Sequence, residues 1–235
     1  MSEKQKKYRV MAIDGPAGSG KSTIAKILAH RLGFIHADSG AIYRTMTYAL
    51  MKKMGPAESA EKFGESVNKI PPEEIKALHM EITLENGIQV NRISGNDVGK
   101  EIRTPDVTSR IRYIADNVAC RAEVNRLLRE FSSRTDLVID GRDIGSVVFP
   151  DTPFKFFLEA SAEIRAERRK KDFIDQGRDM KLEDIVSDIR RRDEQDRNRP
   201  VGALVCPSDA ILIDTSSMTP DDVLGCLMSN MQIQF

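Results

Sequence analysis

The sequence predicts an α/β protein, a parallel sheet with helices on both faces and a small antiparallel insertion. Three observations carry this reading. Short apolar runs of strand length alternate with helical segments along most of the 235 residues, as in a parallel sheet covered by crossover helices. A glycine-rich loop, Gly15 to Gly20, lies between the first apolar run and the first helix. Asn86-Gly87 separates two alternating runs, Ile82 with Leu84 and Ile88 with Val90, and such a pair is the strongest short-range hairpin signal.

Residues 8–13 form a strand bounded by charge on one side and Asp14-Gly15 on the other. Residues 21–32 place Ile24, Ile27, Leu28 and Leu32 on one helical face, with Gly33 as the stop. Residues 34–37 form a weaker strand, after which Ser39 is expected to cap a helix running to about Met54. Residues 56–80 turn polar, with a break at Pro71-Pro72. The hairpin follows, residues 92–103 offer a third strand, and an inserted subdomain is expected over 62–103. The α/β pattern then resumes. A long helix is expected over 107–131, strands over 136–140 and 154–158, and charged helices over 161–172 and 182–192 around a break at Gln176-Gly177. A last strand over 210–213 and a last helix over 220–231 close the chain.

Composition excludes several classes. Lys plus Arg equals Asp plus Glu at 36 each, against the basic face of a protein that coats nucleic acid. The basic N-terminal stretch is followed by an apolar run too short for a signal peptide or a membrane span. Cys120, Cys206 and Cys226 form no C-x-x-C pair, and an odd, scattered set reads as reduced thiols of the cytosol rather than as a disulfide framework. His30, His36 and His79 lack metal-site spacing.

The loop after the first strand fits G-x-x-x-x-G-K-[ST] through Gly15, Gly20, Lys21 and Ser22. Glycines let the backbone approach a bulky anion and turn its N–H groups inward as a nest. The next helix adds the positive end of its dipole. Lys21 supplies a point charge for the outer phosphates, and the Ser22 hydroxyl suits Mg²⁺ bridging two phosphate oxygens. A chance match in a chain of this length is on the order of one in a hundred at ordinary residue frequencies. The ATP-binding set is therefore Gly15, Pro16, Ala17, Gly18, Ser19, Gly20, Lys21, Ser22 and Thr23.

A switch GTPase is excluded. N-K-x-D is missing, and the D-x-x-G run from Asp222 to Gly225 lies inside the last helix. A kinase for a small anionic acceptor needs cations outside the loop. Three stretches supply them: Ser39 and Arg44 in ADSGAIYR, Arg142 and Asp143 in IDGRDIG, and the arginines of RRRDEQDRNRP. IDGRDIG follows a strand end, where open α/β sheets bind ligands. Arginine suits phosphate because its planar fork pairs two oxygens and stays charged. Arg192, Asp196 and Arg199 share a helical face, a geometry equally compatible with a solvated face whose arginines pair with Asp193, Glu194 and Asp196. Asp14 and Asp140, each closing a strand, read either as turn carboxylates or as groups that position the loop or Mg²⁺.

GPAGSGKST, DSGAIYR, EIRTPDV, DGRDIGSVVFPD and RRDEQDRNRP, in that order, resemble the bacterial cytidylate kinases across nearly the whole chain. The resemblance implies a nucleoside monophosphate kinase of the P-loop fold, with a parallel five-stranded sheet flanked by helices. The core would span 1–61 and 104–235 with a helical lid at about 167–188, and the insertion at 62–103 would bind the acceptor. It implies ATP-dependent phosphorylation of CMP or dCMP with Mg²⁺, catalysed by Lys21, Arg142 and Arg192. The acceptor residues would be Ser39, Arg44, Arg121, Arg142, Asp143, Arg192, Asp196 and Arg199, and Ser22 would face the metal. One position departs: Arg112 stands where the family often has a serine. Small nucleotides would be the partners of a cytoplasmic monomer with no nucleic-acid or membrane partner. A kinase for another small acceptor and a non-catalytic nucleotide sensor are the alternatives.

Overall fold

The computed structural model describes residues 8–56, 59–175 and 177–231. The basic N-terminal stretch 1–7 and Gln176, half of the expected Gln176-Gly177 break, lie outside the described residues.

The expected parallel sheet is present. Its strands are β1 (Val10–Asp14), β2 (Ile35–Asp38), β6 (Leu137–Gly141), β7 (Phe154–Glu159) and β8 (Ile211–Asp214), in the order β2-β6-β1-β7-β8. β7 pairs in parallel with β1 and with β8. The expected hairpin and third strand form a separate antiparallel sheet of β3 (Met80–Glu85), β4 (Ile88–Ile93) and the short β5 (Asn96–Asp97). Asn86 and Gly87, both at positive φ, make the turn between β3 and β4.

The chain divides into two compact units. One is built around Ile35–Leu137, the other from Val10–Phe34 and Val138–Phe235. In the second unit, β1, β6 and β7 give Met11, Ile13, Val138, Phe156 and Leu158 to the main core. That core is closed by Ile24 and Leu28 of α1 (Lys21–Leu32) and by Val223, Leu224 and Leu227 of α9 (Pro220–Met231). The buried strands read as continuous apolar runs because both faces of a parallel sheet are covered.

The first unit holds α2 (Ser39–Met54), α3 (Ala60–Val67), α4 (Pro72–Lys76), α5 (Pro105–Ala115) and α6 (Val118–Ser132), together with the small sheet. Four details depart from the sequence reading, each for a local reason. Asp38, not Ser39, caps α2, because its Oδ1 accepts from the Ala41 N–H at 2.9 Å while Ser39 is the first, buried helical residue. The polar stretch expected over 56–80 holds two short helices, Ala60–Val67 and Pro72–Lys76, among the described residues. Ser59 caps α3, and Pro72 starts α4 at the position where a missing N–H costs nothing. The long helix expected over 107–131 is two helices, since Asn117 caps α6 by accepting from the Cys120 N–H at 3.0 Å. Finally, the helix expected to end at Arg192 is α8 (Leu182–Arg197), which follows α7 (Ala162–Asp175) in the second unit.

Gly64 shows how tightly the first unit is packed. A Cβ there would overlap the Tyr113 ring, which lies against α3 from α5. Alanine is favoured over glycine inside a helix by about 1 kcal/mol, but overpacking costs about 1–3 kcal/mol. Gly64→Ala is therefore expected to lower Tm, and the double change with Tyr113→Ala to recover part of the loss. A rise in Tm for the single change would contradict the packing.

Candidate active site

The second unit places its polar groups at the C-terminal ends of β1 and β6, where ligands of open α/β sheets bind. β1 ends at Asp14 and runs straight into the glycine loop. Gly15 has φ +145, and a Cβ on it would run into the Leu158 carbonyl of β7, so the loop starts in close contact with the sheet. Gly20, left-handed at φ 89, opens α1 with no side-chain cap and no acidic residue in the first turn. The helix terminus keeps its N–H groups and partial positive charge for an anion. Ser19 Oγ is buried without a hydrogen-bond partner among the described residues, a state expected of a group waiting for a ligand oxygen. Two neighbouring loop carbonyls are engaged: Lys21 Nζ donates to Pro16 O at 2.8 Å and Arg165 Nη1 to Ala17 O at 3.1 Å.

The carboxylates left open by the sequence take definite roles. Asp14 accepts from the N–H groups of Ile144 and Gly145 at 2.9 and 2.7 Å. It thus pins the turn after β6, which carries Arg142 and Asp143, to the strand that launches the glycine loop. Burial pushes the Asp14 carboxyl up to about 6, against the pull of those two N–H groups and of Lys21. Asp140, buried at the end of β6, accepts from Ser22 Oγ at 2.5 Å. A hydroxyl and a carboxylate side by side are hard oxygen donors that fit Mg²⁺. Among the described residues no group of three or more His, Cys, Asp or Glu could hold a metal ion.

The cations converge on the same place. Asp196 of α8 bridges two arginines, accepting from Arg142 Nε at 2.8 Å and from Arg199 Nη2 at 2.6 Å. Burial pushes its carboxyl up, but Arg142, Arg199 and Arg192 together hold it below the usual carboxylate range. Lys21 is held well below its ordinary value, first by burial and then by Arg142 and Arg192, with Asp140 and Asp14 opposing. Lys21, Arg142, Arg192, Asp196 and Arg199 thus form one electrostatic group, and Asp143 is buried beside it. The two readings of RRRDEQDRNRP divide by helix angle. Arg190 and Arg191 pair with Glu163 and Asp188 on the solvated side, while Asp193 and Asp196 are buried.

In the first unit, α2 supplies Ser39, Tyr43 and Arg44. Arg44 Nη1 donates to Thr108 Oγ1 at 2.7 Å and Ile102 O at 3.4 Å. Arg121 of α6 is buried, donates to Ala115 O at 2.9 Å and lies 5.5 Å from the Tyr43 ring centroid. Arg112 turns to Glu61 and packs on Tyr113, 4.5 Å from its ring centroid.

Sequence reasoning missed three supports. Arg165 and Asp193 form a buried pair beside the loop. Thr215 Oγ1 shares its one proton between Glu159 O at 3.0 Å and Ser19 O at 3.3 Å, and Thr215 O accepts from Arg168 Nη2 at 2.6 Å. Arg168 was expected in a mobile lid; here it is tied to the loop after β8. Arg169 of the same expected lid stacks on Phe173 at 5.3 Å.

A parallel sheet whose first strand opens a lysine-bearing phosphate loop, with a second cation group at the next strand end, defines a P-loop nucleotide-binding protein. The sequence matches the cytidylate kinase family over residues 11–233. A cytidylate kinase of Bacillus cereus strain B4264 is 39% identical over 219 residues, covering 93% of this chain and 94% of its own. One of Rhodopirellula baltica is 41% identical over 217 residues, covering 91% and 88%. The chain belongs to the cytidylate kinase family.

Asp14 gives a pH-dependent test. Its folded value of about 6 lies above the ordinary 3.8, so the fold prefers the protonated carboxyl. That contribution to stability is full below about pH 4 and is lost as pH rises through about 6. Asp14→Asn keeps one acceptor but sets an amide NH₂ against the other N–H, a loss of about 1–3 kcal/mol. Urea unfolding should show the larger deficit at pH 4.5 and a narrower gap at pH 7.5. A gap that widens with pH would rule out the buried, preferentially protonated carboxyl.

Proposed function

We propose that the chain transfers the γ-phosphoryl group of ATP to CMP or dCMP, giving ADP and CDP or dCDP. One observation carries the reading: a phosphate loop with Lys21 shares its unit with a separate cation group, Arg142, Arg192 and Arg199, gathered on Asp196. A protein that only holds ATP needs cations for one phosphate chain. A second set suits an acceptor that is itself an anion. Membership of the cytidylate kinase family supports a cytosine nucleotide as that acceptor.

Gly15 to Thr23 would hold the ATP phosphates. Mg²⁺, held by Ser22 and steered by Asp140, would neutralise charge on the phosphate oxygens. Arg142 and Arg199 would grip the acceptor phosphate, Arg192 and Asp196 would lie nearer the sugar, and Asp143 would face the base. By resemblance to the family, Ser39, Arg44 and Arg121 of the first unit are further acceptor residues. A carboxylate at Asp143 accepts from the exocyclic amino group of cytosine; uracil offers a carbonyl there, and two acceptors would face each other. The insertion over 62–103 would serve the acceptor side of a core formed by the rest of the chain.

The acceptor phosphate is already a nucleophile, so neither a covalent enzyme intermediate nor a strong general base is required. Lys21, Arg142 and Arg192 act by positioning and by stabilising charge during in-line transfer. Residues 167–188 would close as a lid and exclude water, which otherwise competes as acceptor. Among the described residues no helix is long and apolar enough to cross a membrane, and all three cysteines are free. We place the reaction in the cytoplasm, carried out by a monomer on free nucleotides.

ADP release measured across CMP, dCMP, UMP and AMP tests the reading. Release that depends on CMP or dCMP is expected; release indifferent to acceptor would overturn it. Lys21→Ala should reduce kcat about 100-fold or more. Asp143→Asn should narrow the ratio of kcat/KM between CMP and UMP, and an unmoved ratio would place base recognition elsewhere.

A further inference from the structure

Arg165 and Asp193 belong to neither the loop nor the acceptor cations, yet they form a fully buried ion pair in the second unit. Their side chains are 4% and 5% exposed. Arg165 Nη1 and Nη2 make a two-pronged bond to Asp193 Oδ1 and Oδ2 at 3.0 and 2.6 Å. Nε donates to Ala160 O at 2.8 Å, and Nη1 also reaches Ala17 O at 3.1 Å. One guanidinium therefore joins the end of β7, the glycine loop and α8.

Stability alone is a poor reason for such a pair. Taking both charges out of water is costly, and well-packed apolar residues often do as well or better in that place. What an apolar pair cannot do is hold a carbonyl. The described chain has no cis peptide, and in a trans peptide C=O and N–H point in opposite directions. With Ala17 O held by Arg165, the Gly18 N–H is directed away from it, and Gly18 lies in the phosphate loop. α7 also reaches the segment beside the loop: Arg168 donates to Thr215 O, and the Thr215 hydroxyl, 3.0 Å from Glu159 O, lies 3.3 Å from Ser19 O.

The other end of the pair lies on α8. Asp193 directly follows Arg192 and precedes Asp196 by three residues. Further along, Ala166, Ile185 and Ile189 pack with Ala162, Phe173, Met180 and Val186, fastening α7 to α8 as a single arm. Ile185, Ile189, Asp193 and Asp196 form one buried stripe, apolar in the arm and acidic at its root. Asp193 thus fixes the rotation of α8 where Arg192 projects from it.

We propose that Arg165 and Asp193 are a positioning pair that holds the phosphate loop and the cation-bearing end of α8 in one register, so that the donor phosphates and Arg192 meet in the geometry for transfer. The proposal rests on the phosphoryl-transfer reading above. Arginine is required because lysine has one nitrogen, which cannot satisfy a forked carboxylate and two carbonyls at once.

The experiment uses the full chain, with kcat and KM from ADP release, Kd for ATP from calorimetry and Tm from thermal unfolding. Arg165→Lys keeps the charge and most of the volume. It should keep Tm within a few degrees while kcat falls about tenfold or more, since small misplacements cost up to about 100-fold. Asp193→Asn should lower both Tm and kcat. Arg165→Met with Asp193→Leu should return Tm toward wild type, as apolar replacements of buried pairs do, and leave kcat at least about tenfold down with a raised KM for ATP. Wild-type kcat and KM in either the lysine variant or the stable double variant would overturn the proposal and leave the pair structural. Should the wild-type chain bind ATP but phosphorylate no cytidine monophosphate, the functional reading fails separately. The pair is then judged by ATP Kd alone, where weakening is expected and an unchanged value in both variants overturns it.

Discussion

Repulsion between like charges is the constraint around which the second unit is built. Lys21, Arg142, Arg192 and Arg199 are gathered near the ends of two adjacent strands, and burial, with Arg142 and Arg192 nearby, makes Lys21 less comfortable as a cation. The unit answers with carboxylates that are themselves buried. Asp196 lies between two arginines, Asp140 and Asp14 oppose the depression of Lys21, and Asp193 neutralises Arg165. These pairs need not add stability overall, because desolvation offsets most of the Coulomb gain. They keep a positively charged pocket assembled before any phosphate arrives. Lys21, turned back onto its own loop carbonyl, is held in reserve in the same way. A bound phosphate would supply the counter-charge that its surroundings lack and raise its affinity for the proton.

The same carboxylates organise the backbone. Asp14 is both the last residue of β1 and the acceptor for two N–H groups of the turn after β6. The phosphate loop and the segment bearing Arg142 and Asp143 are therefore fixed to one side chain. Gly145 in that turn has little room for a side chain, since a Cβ would crowd Lys155 and Ala12. Close packing of this kind transmits position rather than absorbing it, as a site that works by preorganisation requires.

Much of this was legible in the sequence, and what was not follows a pattern. The glycine loop, α1 and the Asn-Gly hairpin were read correctly because each depends on interactions within a few residues. The caps at Asp38 and Asn117 were missed because a cap is chosen by which side chain reaches an N–H three residues on, and neighbouring Ser, Asp and Asn residues compete for it. Pro71-Pro72 looked like a break because proline ends helices, yet Pro72 starts one. Lys21 and Ser22 were marked by the loop motif and Arg142 by its place after a strand, whereas Asp196 lay on a helical face that a solvated surface fitted as well. Arg165 was hidden in AEIRAERRKK, where it is one of several basic residues on a charged helix and nothing local marks it as buried.

Asp193 was more accessible than it looked. Read as a string of charges, RRRDEQDRNRP is a solvated helix surface, and for Arg190 and Arg191 that is correct. Read as the continuation of α8, it carries the buried stripe begun by Ile185 and Ile189, and the next two members at helical spacing are Asp193 and Asp196. A carboxylate that falls on an apolar stripe must either leave the interior or find a cation there, because an unpaired buried charge costs several kcal/mol. Two such carboxylates in succession require buried cations facing them from other elements. The structure supplies them as Arg165 from α7 and Arg142 from the end of β6. The conflict between period and polarity along one helix therefore marks the root of α8 as the place where this fold exchanges apolar packing for charge.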